Sequence, residues 1–194
     1  DERRYHLGDH VTGALHNHRV TDAHRVGLRE GGMNILVPNP KDVTGFIKLL
    51  SQHPEINIFP GVNTLFNALI HRPDFAQVKL PNLLVTIGGG MAVQKIVADR
   101  WQELTGTPIV EGYGLSETSP AACVNTTIIE HYTGNIGLPV PSTEVRILAD
   151  DGSEVALGSP GEIAIRGPQV MAGYWNKPQD TAAVMTADGF FKSG

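Results

Sequence analysis

The sequence predicts an α/β fold, with a parallel sheet and flanking helices followed by a small antiparallel β subdomain. From residue 33 to residue 113, short apolar or β-branched runs alternate with amphipathic stretches. Right-handed crossovers assemble such an order into a parallel sheet covered by helices. After about residue 136 the runs are short, alternating and separated by Pro and Gly, which is typical of antiparallel strands. We therefore divide the chain into residues 1–30, 31–135 and 136–194.

The α/β segment shows a β-α-β-α-β-α-β order. Asn39 and Pro40 are predicted as the N-cap and the N1 proline of the first helix, and Gly106 is predicted to close the third helix. The apolar positions of each helix follow the 3.6-residue spacing of one buried face. Strands are predicted to start near residues 33, 56, 83 and 109, and the apolar faces are Val43, Phe46, Ile47 and Leu50; Leu65, Phe66, Leu69 and Ile70; and Val93, Ile96, Val97, Trp101 and Leu104.

In the β-rich segment, residues 145–148 (VRIL) and 162–166 (EIAIR) are predicted as antiparallel strands, with a DDG turn after the first. The sequence stops at FFKSG, in the middle of a predicted strand and turn. We therefore expect the chain to be an internal fragment of a longer protein.

The composition excludes several classes of partner and compartment. The net charge is −5 and the 15 basic residues are scattered, so we expect no nucleic-acid partner. No apolar run approaches the roughly 18 to 20 residues that span a bilayer, and the N-terminus lacks the apolar core of a signal peptide. Cys123 is the single cysteine, which suits a reducing cytosol. These features predict a cytoplasmic location.

The first 30 residues differ in composition from the rest, because they hold five of the eight histidines and show no periodicity. One interpretation is a metal site, since His6 and His10 are four residues apart and His16 and His18 could chelate an ion. No helix signal or other ligand pattern accompanies these histidines. We therefore favour a poorly ordered or non-native leader, translated out of frame or from a rearranged junction.

Residues 87–93 (IGGGMAV) place three glycines at a predicted strand-to-helix turn. Ligands of open α/β sheets bind outside the carboxyl ends of strands, and bare amides at a helix N-terminus can face a nucleotide or an acyl group. The pattern is neither a P-loop nor a complete dinucleotide fingerprint. The alternative is a tight turn that requires positive φ angles.

Residues 111–120 (EGYGLSETSP) form a second cluster after the fourth predicted strand. Tyr113 offers an aromatic face for a purine base, Ser116 a hydroxyl donor for a phosphate, and Glu117 an oxygen ligand suited to Mg²⁺. The sequence around Ser116 excludes a serine hydrolase, because residues 114–118 (GLSET) have threonine where the G-x-S-x-G nucleophile elbow requires its second glycine. A turn in which Ser116 is only a capping residue remains the structural alternative.

These motifs resemble those of the adenylate-forming superfamily of acyl-CoA synthetases, luciferases and adenylation domains. EGYGLSETSP is similar to its G-Y-G-x-T-E signature, with Ser116 where threonine is usual. Residues 161–178 (GEIAIRGPQVMAGYWNKP) and 189–194 (GFFKSG) resemble two further segments of that superfamily. FPGVNTLFNALI, GGGMAVQ and IGLPVPSTEV resemble bacterial long-chain fatty-acid–CoA ligases in particular.

The resemblance implies part of the superfamily's large N-terminal domain, with a nucleotide and acyl site in residues 31–135. It implies that ATP, Mg²⁺ and a fatty acid give an acyl-adenylate, which coenzyme A converts to acyl-CoA. Residues 59–70 and the glycine turn would flank the acyl tunnel. The implied cofactor-binding residues are Gly88, Gly89, Gly90, Glu111, Gly112, Tyr113, Gly114, Leu115 and Ser116; Ser116 and Glu117 are the implied catalytic residues, and Glu117 the implied metal ligand.

Other parts of the superfamily's pattern, its phosphate loop, ribose-binding aspartate and C-terminal lysine, have no counterpart in this sequence. We therefore expect the 194 residues alone to be inactive. Two alternatives stay open, a ligase for medium-chain or aryl acids and a non-catalytic nucleotide- or acyl-binding fragment. The resemblance is also compatible with homodimerisation and with peripheral association at the inner membrane face.

Overall fold

The computed structural model describes the backbone of residues 9–13 and residues 31–194 in full. The chain divides into two compact units. Unit 1 comprises Asp1–Gly112 and Asn125–Gly137, and unit 2 comprises Tyr113–Val124 and Leu138–Gly194. The boundary near Asn135 stays a prediction.

Unit 1 is built on a parallel sheet, as the sequence predicts. Its strands occur in the order β2-β1-β3-β4-β5, and every neighbouring pair is parallel. Strand β1 was not predicted, because the residues around it show no apolar alternation. The strands are β1 (Asp9–Gly13), β2 (Met33–Val37), β3 (Ile58–Gly61), β4 (Val85–Gly88) and β5 (Ile109–Tyr113), whose last residue belongs to unit 2.

The three predicted helices are present as α1 (Val43–Gln52), α2 (Asn63–Ile70) and α3 (Lys95–Thr105). The predicted cap of α1 is wrong: Asp42 is the N-cap and accepts a hydrogen bond from the Gly45 amide at 2.9 Å. Gly106 closes α3 with φ 77°, as predicted. Ile96 was wrongly placed on the buried face: it lies roughly 100° around the helix from the buried Val97 and is 75% exposed.

The core of unit 1 centres on Trp101 of α3, which is fully buried. The centre of its ring lies 4.9 Å from the ring centre of Phe66, 5.0 Å from that of Phe59 and 5.5 Å from that of Phe75. The indole N–H donates to Oγ1 of buried Thr86 at 3.1 Å, so the one polar atom of the ring is satisfied. These contacts fix α3 against α2 and against β4, and β4 and α3 are the two elements that the glycine turn described below connects.

Unit 2 is antiparallel, which confirms the second half of the predicted fold. Strands β6 (Cys123–Val124) and β7 (Leu138–Pro139) pair with each other. Strand β9 (Glu162–Arg166) lies between β8 (Glu144–Leu148) and β10 (Phe191–Lys192). Helix α4 (Pro178–Val184) begins with a proline at its first turn. The guanidinium groups of Arg146 and Arg166 lie 4.1 and 4.5 Å from the centre of the buried Phe190 ring.

In the part of the chain that the structure describes, no helix is long and apolar enough to cross a membrane. The histidines of the alternative metal site lie outside the residues whose side chains are described. The assignment of residues 1–30 as a leader therefore stays a prediction.

Candidate functional site

The glycine turn, residues 88–94, joins β4 to α3 at the carboxyl end of the parallel sheet. A Cβ atom on Gly88 would lie 2.7 Å from Cγ2 of both Ile109 and Val93, so packing requires glycine there. Gly90 has φ 89°, a conformation that glycine adopts without strain. A Cβ on Gly89 would make only ordinary contact, 3.5 Å from the Gly112 carbonyl oxygen. Steric need therefore explains two of the three glycines, and the third leaves bare backbone beside Gly112.

Asn63, at the start of α2, holds the far end of this turn. Its Oδ1 accepts a hydrogen bond from the Gln94 amide at 2.9 Å, and its side chain is buried. Gln94 precedes the first residue of α3, so this bond satisfies one of the amides that a helix N-terminus leaves without an intrahelical partner. Asn63 was not predicted, because its partner lies 31 residues away in the sequence.

Glu111 brings a carboxylate into the interior of unit 1, since its residue is only 8% exposed. Its Oε1 accepts from the hydroxyl of Tyr132 at 3.1 Å and lies 3.4 Å from the Val93 amide. Its Oε2 is buried and has no hydrogen-bond partner among the described residues. A buried carboxylate oxygen without a donor is costly, so this atom is suited to accept a hydrogen bond from a ligand.

Tyr132 connects Glu111 to the glycine turn. Its hydroxyl lies 2.5 Å from the Val93 carbonyl oxygen and 3.1 Å from Glu111 Oε1, and its single hydrogen serves one of these acceptors at a time. Burial, followed by the charge of Glu111 and the hydrogen bond to it, raises the pKa of Tyr132 to about 12. The phenol therefore remains protonated near neutral pH. No motif of the sequence indicated Tyr132.

The Ser116 loop, residues 114–120, lies in unit 2 and is ordered mainly by Thr118. The buried hydroxyl of Thr118 accepts from the Leu115 amide at 2.9 Å, and it lies 2.8 Å from the Pro120 carbonyl oxygen. A Cβ on Gly114 would lie 1.7 Å from that same carbonyl oxygen, so only glycine fits there. Ser116 begins a single 3-10 turn and is exposed. The signature residues therefore form a tight turn with the serine at its surface.

Glu117 is held by residues of the second signature segment. Its backbone carbonyl accepts from the Met171 amide at 2.8 Å, and its Oε1 accepts from the Tyr174 hydroxyl at 3.0 Å. That hydrogen bond is the main reason that the pKa of Tyr174 is raised above its ordinary value. Gln169 also donates to the Ala121 carbonyl at 3.2 Å. Residues 169–174 thus position the loop that contains Glu117.

The chemistry of Glu117 fits a magnesium ion that enters with a nucleotide. Among the described residues, no three His, Cys, Asp or Glu side chains form a group that could hold a metal ion. Mg²⁺ typically uses one or two protein carboxylates and takes its other ligands from phosphates and water. A half-buried single carboxylate with one oxygen hydrogen-bonded, as Glu117 has, matches that requirement.

The structure brings the predicted residues together within each unit. In unit 1, Gly88, Gly89 and Gly90 lie beside Glu111 and Gly112, and in unit 2, Tyr113, Gly114 and Leu115 lead directly into Ser116 and Glu117. The acyl tunnel flanked by residues 59–70 stays a prediction, and Phe59 and Phe66 of that range are fully buried in the core. A cavity of about 180 Å³ in unit 1 is lined by other residues, namely Phe75, Val78, Lys79, Leu80, Pro81, Leu104 and Thr105.

Known proteins resemble this chain over most of its length. It is 49% identical over 84% of its residues to a long-chain-fatty-acid–CoA ligase of Yersinia pestis, and 47% identical over the same share to one of Escherichia coli O157:H7. The chain spans about 29% of the length of these relatives. The crystal structure of ATP-bound MatB from Rhodopseudomonas palustris matches with a TM-score of 0.86 at 25% identity, over 96% of this chain and 37% of MatB.

The profile of the AMP-binding enzyme family matches residues 15–175, well over half of the chain. That match includes the glycine turn, the Ser116 loop and residues 169–174. The resemblance to adenylate-forming enzymes, inferred above from sequence motifs, is thereby confirmed. The chain belongs to the AMP-binding enzyme family.

Proposed function

We propose that this chain is the nucleotide-binding portion of an AMP-forming acid–thiol ligase. The reaction converts ATP, a long-chain fatty acid and coenzyme A into acyl-CoA, AMP and pyrophosphate through an acyl-adenylate. Membership of the AMP-binding enzyme family and near 50% identity to long-chain-fatty-acid–CoA ligases support it. The structural observation that carries it is Glu111, whose buried Oε2 has no partner among the described residues and lies beside a glycine turn at the carboxyl end of a parallel sheet.

The charge on Glu111 restricts which group of ATP it can contact. A carboxylate repels phosphates and other carboxylates, so the group of ATP that it contacts must be a hydrogen-bond donor. The donors of ATP are the exocyclic amine of adenine and the ribose hydroxyls. We propose that Glu111 Oε2 accepts from the amine, while Gly88, Gly89, Gly90 and Gly112 allow the backbone to approach the nucleotide and the acyl carboxyl group.

In unit 2 we propose that Tyr113 stacks on the adenine ring, as aromatic faces do with bases. Gly114 and Leu115 border the nucleotide in the same role. The exposed hydroxyl of Ser116 donates to a phosphate oxygen, a contact that serine retains although it lacks the methyl group of the usual threonine.

We further propose that Glu117 holds Mg²⁺ together with the phosphates of ATP. When bound, the ion supplies charge stabilisation at the phosphate oxygens. Tyr174 orients the carboxylate through the hydrogen bond to Oε1. The other oxygen of Glu117 then stays available to the ion.

The chemistry requires ATP because a carboxylate has no good leaving group. Attack of the fatty-acid carboxylate on the α-phosphate releases pyrophosphate, and the thiol of coenzyme A then displaces AMP. Catalysis of phosphoryl chemistry depends on positioning and on charge stabilisation. The residues of this chain bind and orient one side of ATP. Since the chain spans less than a third of its relatives, we propose that these 194 residues bind nucleotide without turnover.

Two alternatives define the limits of the proposal. A ligase for medium-chain or aryl acids would use the same nucleotide contacts, because acyl selectivity depends on the walls of the tunnel. A non-catalytic nucleotide- or acyl-binding protein would bind ATP or a fatty acid without ever releasing pyrophosphate, even when joined to the remaining length of a relative.

Calorimetry with the 194-residue chain and Mg·ATP tests the nucleotide site. We expect saturable binding that E111Q weakens by about tenfold or more, the range for a hydrogen bond to a charged group. Absence of binding by the wild-type chain would reject the site.

Pyrophosphate release with ATP, Mg²⁺ and coenzyme A tests the reaction, with palmitate, octanoate and benzoate compared as acids. The chain alone should release none. A chimera that places these residues in a long-chain-fatty-acid–CoA ligase should release pyrophosphate fastest with palmitate. A preference for octanoate or benzoate would favour the first alternative, and a silent chimera that still binds ATP would favour the second.

The remaining partners follow from the proposed substrate. We propose a cytoplasmic location with peripheral association at the inner membrane face, where a long-chain fatty acid partitions. Flotation with anionic vesicles tests the association, and size-exclusion chromatography tests the predicted homodimer. Protein that stays at the bottom of the gradient, or that elutes only as a monomer, would contradict these two predictions.

A further inference from the structure

We infer that Tyr132 is the positioning residue that sets base selectivity, because its hydroxyl orients Glu111 so that Oε2 is the oxygen presented to the exocyclic amine of adenine. This inference rests on the proposed nucleotide site and deepens it. It assigns a role to a residue outside every recognised motif of the sequence.

The contacts of Glu111 fix the rotation of its carboxylate. Both donors near it, the Tyr132 hydroxyl at 3.1 Å and the Val93 amide at 3.4 Å, approach Oε1. The amide contact is long for a hydrogen bond, so the hydroxyl is the stronger donor when its hydrogen points to Oε1 rather than to the Val93 carbonyl oxygen at 2.5 Å. Because both donors lie on one side, Oε2 faces away from them, and no residue in the described part of the chain donates to it.

Tyr132 is itself held in place relative to Glu111. It lies in the segment Asn125–Gly137, whose first residue donates its backbone amide to the Glu111 carbonyl at 3.0 Å. The buried side chain of Asn125 donates to Thr133 Oγ1 at 3.1 Å and to the Asn135 carbonyl at 2.6 Å. The segment therefore contacts Glu111 of β5 at its first residue and again at Tyr132, and the hydrogen bonds of Asn125 fix the position of the phenol relative to the carboxylate.

The Tyr132 hydroxyl matters because the Glu111 carboxylate is buried and needs hydrogen-bond donors. Among the described residues, no Lys, Arg or His forms an ion pair with Glu111, and the two donors that the structure describes near its carboxylate are neutral. The phenol remains a donor because its pKa lies near 12. Without the hydroxyl, Oε1 keeps only the long amide contact, and the carboxylate is free to rotate.

The consequence is selectivity between purines. Adenine presents an amine at the position where hypoxanthine presents a carbonyl oxygen, and an acceptor held opposite that position attracts the first and repels the second. A carboxylate that rotates freely, or that takes up a proton, discriminates less. Tyr132 should therefore govern the preference for ATP over inosine triphosphate (ITP).

Calorimetry with ATP and ITP tests the inference on the wild-type chain, Y132F and T107V. We expect the wild type to bind ATP at least about tenfold more tightly than ITP, the ratio that a hydrogen bond to a charged group supports. In Y132F the ratio of the affinity for ATP to the affinity for ITP should fall toward one, mainly because ATP binds more weakly. Thr107→Val is the matched control, because it removes a buried hydroxyl that donates to the Leu83 carbonyl at 3.1 Å in the same unit. T107V should lose stability and keep the wild-type ratio.

A double-mutant cycle shows whether Tyr132 acts through Glu111. In an E111Q background, Y132F should cause no further change in the ratio. Asn125→Ala, which keeps the phenol but loosens its segment, should lower the ratio in the same direction as Y132F and by less, and it replaces Y132F if that variant does not fold.

The possible results distinguish failure of the nucleotide site from failure of the role of Tyr132. Failure of the wild-type chain to bind ATP rejects the nucleotide site and this inference together. ATP binding with an unchanged ratio in Y132F and N125A, a wild-type ratio near one, or an equal effect of Y132F in the E111Q background overturns the inference alone.

Discussion

The glycine turn of unit 1 and the Ser116 loop of unit 2 both carry proposed nucleotide contacts, yet they are ordered in different ways. Side chains from three other parts of unit 1 hold the turn, namely the buried Asn63 and Glu111 and the half-buried Tyr132. The loop is held by its own Thr118 and by hydrogen bonds from residues 169–174. In the turn, binding groups are also packing groups, so stability and binding should change together. In the loop, the exposed Ser116 should affect binding alone.

The largest effect should come from Gly114→Ala in the loop. The new Cβ would lie 1.7 Å from the Pro120 carbonyl oxygen and 3.0 Å from Ala121 Cα, and backbone cannot yield as a flexible side chain does. We expect a loss of about 3 kcal/mol in the free energy of unfolding, the upper part of the range for overpacking, measured by denaturant titration. Ser116→Ala in the same loop should stay within about 0.5 kcal/mol of wild type. Equal stability of the two variants would show that the loop is not closely packed.

Gly88→Ala should rank second, because its Cβ would lie 2.7 Å from two methyl groups that can shift slightly, those of Ile109 and Val93. We expect about 2 kcal/mol of destabilisation together with weaker ATP binding, since the turn and the Glu111 pocket share Val93. Gly89→Ala is the control, with only an ordinary 3.5 Å contact to the Gly112 carbonyl, and its melting temperature should match wild type. If G88A weakened binding without any loss of stability, the turn would behave like the loop.

Tyr174→Phe should have a smaller effect that separates metal-dependent from metal-independent nucleotide binding. It removes the hydroxyl that donates to Glu117 Oε1 at 3.0 Å, for a loss of about 1 kcal/mol in stability. Affinity for Mg·ATP should fall, while affinity for ATP in the presence of EDTA should not. Ser153→Ala, which removes another hydroxyl–carboxylate hydrogen bond of unit 2 at 2.6 Å, should leave both affinities unchanged. An equal fall with and without the metal would argue against Glu117 as its ligand.

The smallest effect should be confined to alkaline pH. Burial and the nearby Glu111 raise the pKa of Tyr132 to about 12, from an ordinary value of 10.0. Because the folded state keeps this proton more tightly, the stability that the phenol contributes is complete below pH 10 and declines as the pH rises toward about 12. The difference in unfolding free energy between wild type and Y132F should therefore shrink over that window. A difference that is constant from pH 8 to pH 12 would contradict the raised pKa.

The fold could be predicted because apolar periodicity is a local signal. The apolar run at β4 and the apolar faces of α1 and α2 can be read from neighbouring residues of the sequence alone. β1 lacks the signal, since its residues DHVTG contain little apolar alternation. The cap at Asp42 was missed because an apolar run specifies the first residue of a helix only weakly. Ile96 was missed because an apolar residue next to a buried position is not distinguished from one on the buried face by composition alone.

The candidate site could be predicted only as far as its motifs extend. Gly88, Glu111 and Ser116 lie in recognisable stretches, whereas the residues that hold them in place come from distant positions. Tyr132 is 21 residues from Glu111, and Tyr174 is 57 residues from Glu117. Side-chain hydrogen bonds over such separations leave no pattern in a single sequence, because many spacings of the same residue types occur by chance.

The burial of Trp101 has a practical consequence for optical work on this protein. The chain has two tryptophans; Trp101 is 0% exposed at the core of unit 1, and Trp175 is 89% exposed in unit 2. An indole in an apolar interior emits at shorter wavelength and is shielded from iodide or acrylamide, whereas an indole in water emits at longer wavelength and is quenched freely. The protein thus carries one tryptophan in each unit. Because Trp175 is already in water in the folded state, the short-wavelength, quencher-protected emission comes from Trp101 and follows the unfolding of unit 1 without any added label.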